Sequence, residues 1–214
     1  MAGIGMYGWF YAKCKKENGA VVGYVGGIKQ AGNAISAQFS PNTPEDNPLY
    51  ASNRAVENDS SSGSGGTLEA VMDRLTQETA ADFFGLTLED VVVEVGNTSV
   101  TGKALKQYGH EQSNPLGVAY IKWHQMDNRR DFHEVVFYSS VTFPMPEDVA
   151  QTMGDSIEWK TVSLSGTVEG RQGDGTIPWK ESIMFPSQET AMEYIYSRLK
   201  EQPAETRTAG KVSV

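Results

Sequence analysis

The apolar residues of this chain fall largely at alternate positions, the spacing of strands that bury one face. The stretch from Ile35 to Leu75 organises the reading. Ile35, Ala37 and Phe39 fall on one face of a predicted strand, and Ser36, Gln38 and Ser40 on the other. A polar, proline-bearing loop from Pro41 to Pro48 follows, then LYASNRAVEND as a second extended segment. A flexible run from Ser60 to Gly66 leads into GTLEAVMDRL, which resumes the alternation. Both loops are longer than hairpin turns, and long loops on a sheet scaffold usually bind something or are disordered.

The same reading extends along the chain. Met6–Lys13 and Ala20–Lys29 read as strands joined at Glu17-Asn18-Gly19, since Asn-Gly tolerates positive φ at both central positions. TQETAADFFG reads as a short helix, with Thr76 as N-cap, Glu78 in the first turn and Gly85 as the C-terminal cap. LTLEDVVVEV follows, and Gly96 to Leu105 is expected to be a polar loop. Val118 to Phe143 predicts the clearest hairpin. One face carries Ala119, Ile121 and Trp123 on its first arm, and Val135, Phe137, Val141 and Phe143 on its second. Pro144 and Pro146 end the pair. From Ile157 to Val168 the apolar parity changes, which predicts a bulge or bend near Lys160-Thr161. SQETAMEYIYSRLKE is the best helix. Ser187 caps it, Ala191, Ile195 and Leu199 form its apolar stripe, and Arg198 and Lys200 sit at its C-terminal end.

Composition narrows the class. The 214 residues fit a single β domain over 1–202, with 203–214 as a tail or arm. Hydrophobic residues make up 39% and charged residues 21%, and the mean hydropathy is −0.41. Abundant Gly, Ser and Thr favour strands and turns over a helical bundle. A net charge of −9 argues against tight nucleic-acid binding, where Lys and Arg must replace phosphate counterions. No window resembles a membrane span, and the N-terminus lacks the basic start of a signal peptide. Cys14 is the sole cysteine, which excludes an internal disulfide and points to a cytoplasmic origin.

Little chemistry is expected, and no catalytic, cofactor-binding or metal residue is assigned. His124 and His133 could meet across the hairpin, but neither they nor His110 has a carboxylate or Cys at ligand spacing, so they read as polar residues on a wet strand face. Cys14 reads as a small strand residue. SGSGG, Ser62 to Gly66, lacks the Lys of a phosphate loop and does not open a helix. Glu45, Asp46, Glu57, Asp59, Glu69 and Asp73 lack calcium-loop spacing and read as surface charge. Trp9, Trp123, Trp159 and Trp179 read as core or interface.

Taken in order, ISAQFSPNT, PLYASNRAVEND, SGGTLEAVMDRL and FFGL resemble the major tail protein of long, non-contractile-tailed bacteriophages of the siphovirus type. PLGVAYIKW, EVVFYSSVTFPMP and GDSIEWKTVSLSGTVEG extend the likeness, which covers roughly residues 33–200. Ser52 stands where that family often has an acidic residue. The resemblance implies a mainly β protomer, a β-sandwich or half-barrel with one or two peripheral helices. Its inner strands would complete a multi-subunit β-barrel. Six copies would form a ring, and rings would stack into a tail tube in the virion, made in the bacterial cytoplasm. The implied partners are the chain itself, a tape-measure protein, a tail terminator and distal tail proteins. Genome DNA would pass through without specific binding, and no membrane is involved.

With four inner strands per copy, ~24 strands at ~4.8 Å spacing and ~40° tilt give a barrel ~50 Å across and a lumen of ~40 Å, wide enough for duplex DNA. An acidic lumen would repel phosphate and let DNA slide. The candidate inner strands are 33–40, 51–59, 66–74 and 157–169. The loops at 41–50 and 60–66, the N-terminal strand and the tail are candidate contacts between copies. A tube protein of a contractile tail or secretion needle is a near alternative. A carbohydrate- or receptor-binding β-sandwich is a different one, and an enzyme using Cys14 or the His124/His133 pair is a third.

Overall fold

In the computed structural model, the described residues are 2–42, 47–51, 54–59, 64–125, 131–147, 161–170 and 177–200. Their strands, in chain order, are β1 (Ala2–Glu17), β2 (Ala20–Gly32), β3 (Ala34–Pro41), β4 (Asn47–Ala51), β5 (Arg54–Asp59), β6 (Gly66–Met72), β7 (Thr87–Val95), β8 (Thr98–Lys106), β9 (Leu116–Gln125), β10 (Asp131–Thr142), β11 (Val162–Val168) and β12 (Lys180–Phe185). Helix α1 (Gln77–Phe84) follows β6, and α2 (Gln188–Leu199) follows β12. The protein is mainly β, as its alternation predicts.

One sheet runs in the order β2-β1-β9-β10-β11-β6-β3, with β12 added beside β10, and its ladders are antiparallel. Two strands turn its corners. β10 pairs β12 through His133–Tyr138, breaks register after Tyr138, and then meets β11 through Val141 and Thr142. β2 passes through Asn33 directly into β3, leaving β1 for β6. A strand that switches partners at a bulge folds one sheet into two facing layers, a β-sandwich or half-barrel.

Between the layers, Trp9, Tyr11, Val118, Tyr120, Val136 and Tyr138 face Leu68, Met72, Leu164 and Val168, with Phe83 and Phe84 of α1 in the same cluster. The far side of β1, β9 and β10 is buried as well. There Phe10, Ala12, Ala119, Ile121, Val135 and Phe137 lie under Ala191, Ile195 and Leu199 of α2. The bulge at Ser139–Ser140 corrects the predicted hairpin face. Val135 and Phe137 pack toward α2, whereas Val141 and Phe143 belong to the cluster between the layers. Trp123, expected on the buried face, is 37% exposed near the strand end. Ile35 is likewise exposed, because a register shift between Ala34 and Ser36 takes it out of the alternation and sets Ala34 against the core.

Other expectations are also revised. The predicted loop from Gly96 to Leu105 is mostly β8, paired along its whole length with β7 from Thr87↔Lys106 to Val95↔Thr98. LYASNRAVEND is not one extended segment but the β4–β5 hairpin, and β5 has β4 as its ladder partner, so candidate inner strand 51–59 lies off the large sheet. The N-terminal strand is paired on both sides over Trp9–Lys13, whereas Ala2–Tyr7 pairs with β9 alone among the described residues and keeps an open side. Ile157, Trp159 and the predicted bend near Lys160, residues 43–46 and 60–63 of the two predicted loops, and the tail at 203–214 lie outside the described residues, while the end of the first predicted loop is strand β4. Candidate strand 157–169 is therefore seen only as β11.

Candidate assembly surface

Three of the four candidate inner strands are neighbours, β11-β6-β3. Their register sorts side chains into cross-strand rows. Rows Ala37-Ala70-Leu164 and Phe39-Leu68-Gly166 face the core. Gly166 leaves room for Phe143: a Cβ there would lie 2.5 Å from that ring. Phe143 in turn stacks on Phe83 at 5.3 Å. The alternate rows point away from the core: Ser36-Val71-Ser163, Gln38-Glu69-Ser165 and Ser40-Thr67-Thr167. All of these but half-buried Val71 are exposed. Among the described residues this face consists mainly of hydroxyl and amide groups, with one ionisable side chain, Glu69, and no cation. Such a surface hydrates well and offers a polyanion no counter-charge.

The same three strands end in open edges. Among the described residues, β3 pairs β6 on one side only. β11 reaches β10 only through Thr167 and Val168, which leaves Val162–Gly166 without a described neighbour on that side. β3 carries no charge, and the single charge of β2, Lys29, is bound to Asp82 at 2.5 Å. Edge strands of monomers are usually guarded by charges, bulges or a covering element. Here β3 carries a bulge at Ile35 near its start and one proline, Pro41, at its end, and no charge between them.

The residues that could have carried chemistry are held in structural contacts. His124 and His133 lie on opposite faces of the hairpin, because Phe132 pairs with His124 and His133 with Trp123. His124 Nε2 meets Glu134 Oε2 at 2.7 Å, and His133 Nδ1 meets the Tyr7 hydroxyl at 2.6 Å. Desolvation pushes the Glu134 carboxyl up, but bonds from Ser182 and His124 and the charge of Lys122 outweigh it and hold it below the usual range. His110 stacks beside Tyr108. The Cys14 thiol donates to the Ser139 carbonyl at 3.2 Å, and burial pushes its pKa up to about 12, the opposite of an activated nucleophile.

Asp73 accepts from the backbone and side-chain nitrogens of Asn33, at 2.9 and 2.8 Å, fixing the β2–β3 corner. Among the described residues no three His, Cys, Asp or Glu side chains converge as metal ligands. Trp9 is core and Trp179 packs against it. One cluster had no sequence signal. Asp82 on α1 accepts from the Tyr11 hydroxyl at 3.0 Å, Lys13 at 2.7 Å and Lys29 at 2.5 Å. It pins α1 to the sheet.

Comparisons with protein-family models and with curated proteins gave no match for this chain.

Proposed function

We propose that this protein is a structural subunit of a phage tail tube. Copies join by their open strand edges into rings, with hexamers as the resemblance implies, and rings stack into a channel through which DNA travels. The observation that carries the reading is the β11-β6-β3 layer, which among the described residues combines two open edges with a polar, cation-free outer face. Extending that layer from copy to copy removes the edges and turns the hydroxyl rows inward. A wall of that kind lets duplex DNA slide without binding it. The partners are further copies, and, through the resemblance, tape-measure, terminator and distal tail proteins in a virion.

Lysines placed along β3 test the edge. In Gln38→Lys/Ser40→Lys the added charges sit on exposed positions, so the monomer should melt as wild type does. Its assembly, followed by sedimentation against concentration, should begin at a concentration at least ~10-fold higher, because charge on an edge opposes further pairing. Assembly at the wild-type concentration would remove β3 from the interface.

A further inference from the structure

β7 and β8 form a two-stranded ribbon outside the large sheet, turning at Gly96-Asn97. Its base is fixed. Leu86 and Leu105 pack on the core, Lys103 reaches Glu78 of α1 at 2.7 Å, and Lys106 pairs with Glu89. Beyond the base the register splits it into two unlike faces. One carries Val91↔Gly102, Val93↔Val100 and Val95↔Thr98; the other carries Asp90↔Lys103, Val92↔Thr101 and Glu94↔Ser99. The valines of the first face are exposed: Val91 by 38%, Val93 by 54%, Val95 by 64% and Val100 by 53%. Two-stranded ribbons are marginal in water unless one face is covered.

We infer that this ribbon is an arm whose valine face docks on a second copy of this chain. Charge selects the occupant. The protein carries −9, so its copies repel one another wherever acidic surfaces meet. The valine face bears only Glu89 and Lys106, and these neutralise each other. The opposite face carries Asp90, Glu94 and Lys103, so the net negative charge of the arm lies there and stays in water. The neutral apolar face is therefore the one that a like-charged sister can approach without penalty.

Area sets the strength. Five residues at ~3.4 Å by two strands at ~4.8 Å present roughly 160 Å², or about 330 Å² counted on both partners, against the ~1,200 Å² of stable interfaces. The arm cannot hold two chains alone, so it reinforces another contact. The inference rests on copies of this chain meeting, as in the reading above, but not on the strand edges by which that reading joins them.

The test uses the full chain at concentrations where it self-associates. A benzoylphenylalanine photo-crosslinker replaces Val93 in one variant and Val92, on the opposite face, in another. The expected result is covalent dimers from the first and several-fold fewer from the second. In parallel, Val93→Lys/Val100→Lys should keep its melting temperature, since both sites are exposed, and raise the concentration at which association begins at least ~10-fold.

The inference is overturned by cross-links from Val93 to its own chain, by equal yields from Val92, by association of the double-lysine variant at the wild-type concentration, or by a chain that stays monomeric throughout. If the β3 lysine variant assembles normally while Val93 still cross-links, the edge reading falls and the arm stands. The reverse pattern removes the arm alone.

Discussion

At Asp82 three donors from β1 and β2, each distant from it in sequence, converge on one carboxylate. Burial pushes its pKa up, but hydrogen bonds from Lys13, Lys29 and Tyr11 outweigh that and hold it below the ordinary carboxylate range. A depressed carboxylate stabilises the fold fully above its unfolded pKa of about 4 and loses that contribution as pH falls through the lower folded value. Asp82→Asn should therefore lower unfolding free energy at pH 7 by about 1–3 kcal/mol in urea titrations, discounted because both lysines are partly exposed, and the gap should narrow at pH 3. An equal gap at both pH values would show that the pairing is not ionic. Cys14 gives a second prediction at this scale: with its thiol raised to about 12, it should react with maleimide at pH 8 far more slowly in the native protein than in urea. Glu69 gives a third. If the polar rows line a channel, assembled Glu69→Lys should retain duplex DNA in a gel-shift assay at low salt and release it as salt rises, whereas wild-type assemblies retain none. None of the Asp82 contacts was legible from spacing, because Tyr11 and Asp82 lie 71 positions apart and only the folded sheet joins them.

At the scale of elements, local signals were read well and defects in periodicity poorly. Thr76 accepts from the Thr79 amide and Ser187 from the Thr190 amide, as the two caps predict. Gly85 ends α1 with φ 66°, and a Cβ there would stand 2.3 Å from the Gln112 carbonyl. Gly85→Ala should cost more than ~1 kcal/mol, since both the left-handed backbone and the close carbonyl oppose a side chain. A smaller change in thermal stability would mean that the Gln112 loop yields. The Asn18-Gly19 turn has the expected left-handed pair, φ 52° and 80°. The bulges at Ser139–Ser140 and at Ile35 were not legible, because one extra residue reverses parity without a residue type that marks it. β8 was missed for a related reason: TSVTGKALK has no buried face to impose alternation, so its strand state appears only through pairing with β7.

For the whole molecule, strand-rich composition identified the class but not the connections. The sequence places β9 and β10 together, and their hairpin holds. It cannot place β1 between β2 and β9, or β6 between β11 and β3, since those partners are distant in the chain. It also predicts one buried face for the central strands, whereas α2 covers the second, burying six consecutive residues from Leu116 to Ile121. What remains outside that core is the outer face of the layer β11-β6-β3 with its open edges and the β7–β8 arm with its bare valines. Both face away from the chain's own interior, and in the proposed reading both are covered by further copies. Electron microscopy of the purified full-length chain across rising concentration tests this most directly. The account predicts hollow, ring-stacked tubes with a lumen of ~40 Å, the width expected of a barrel of ~24 strands. A protein that remains a 23.4 kDa monomer at every concentration, with no rings or tubes, would contradict it.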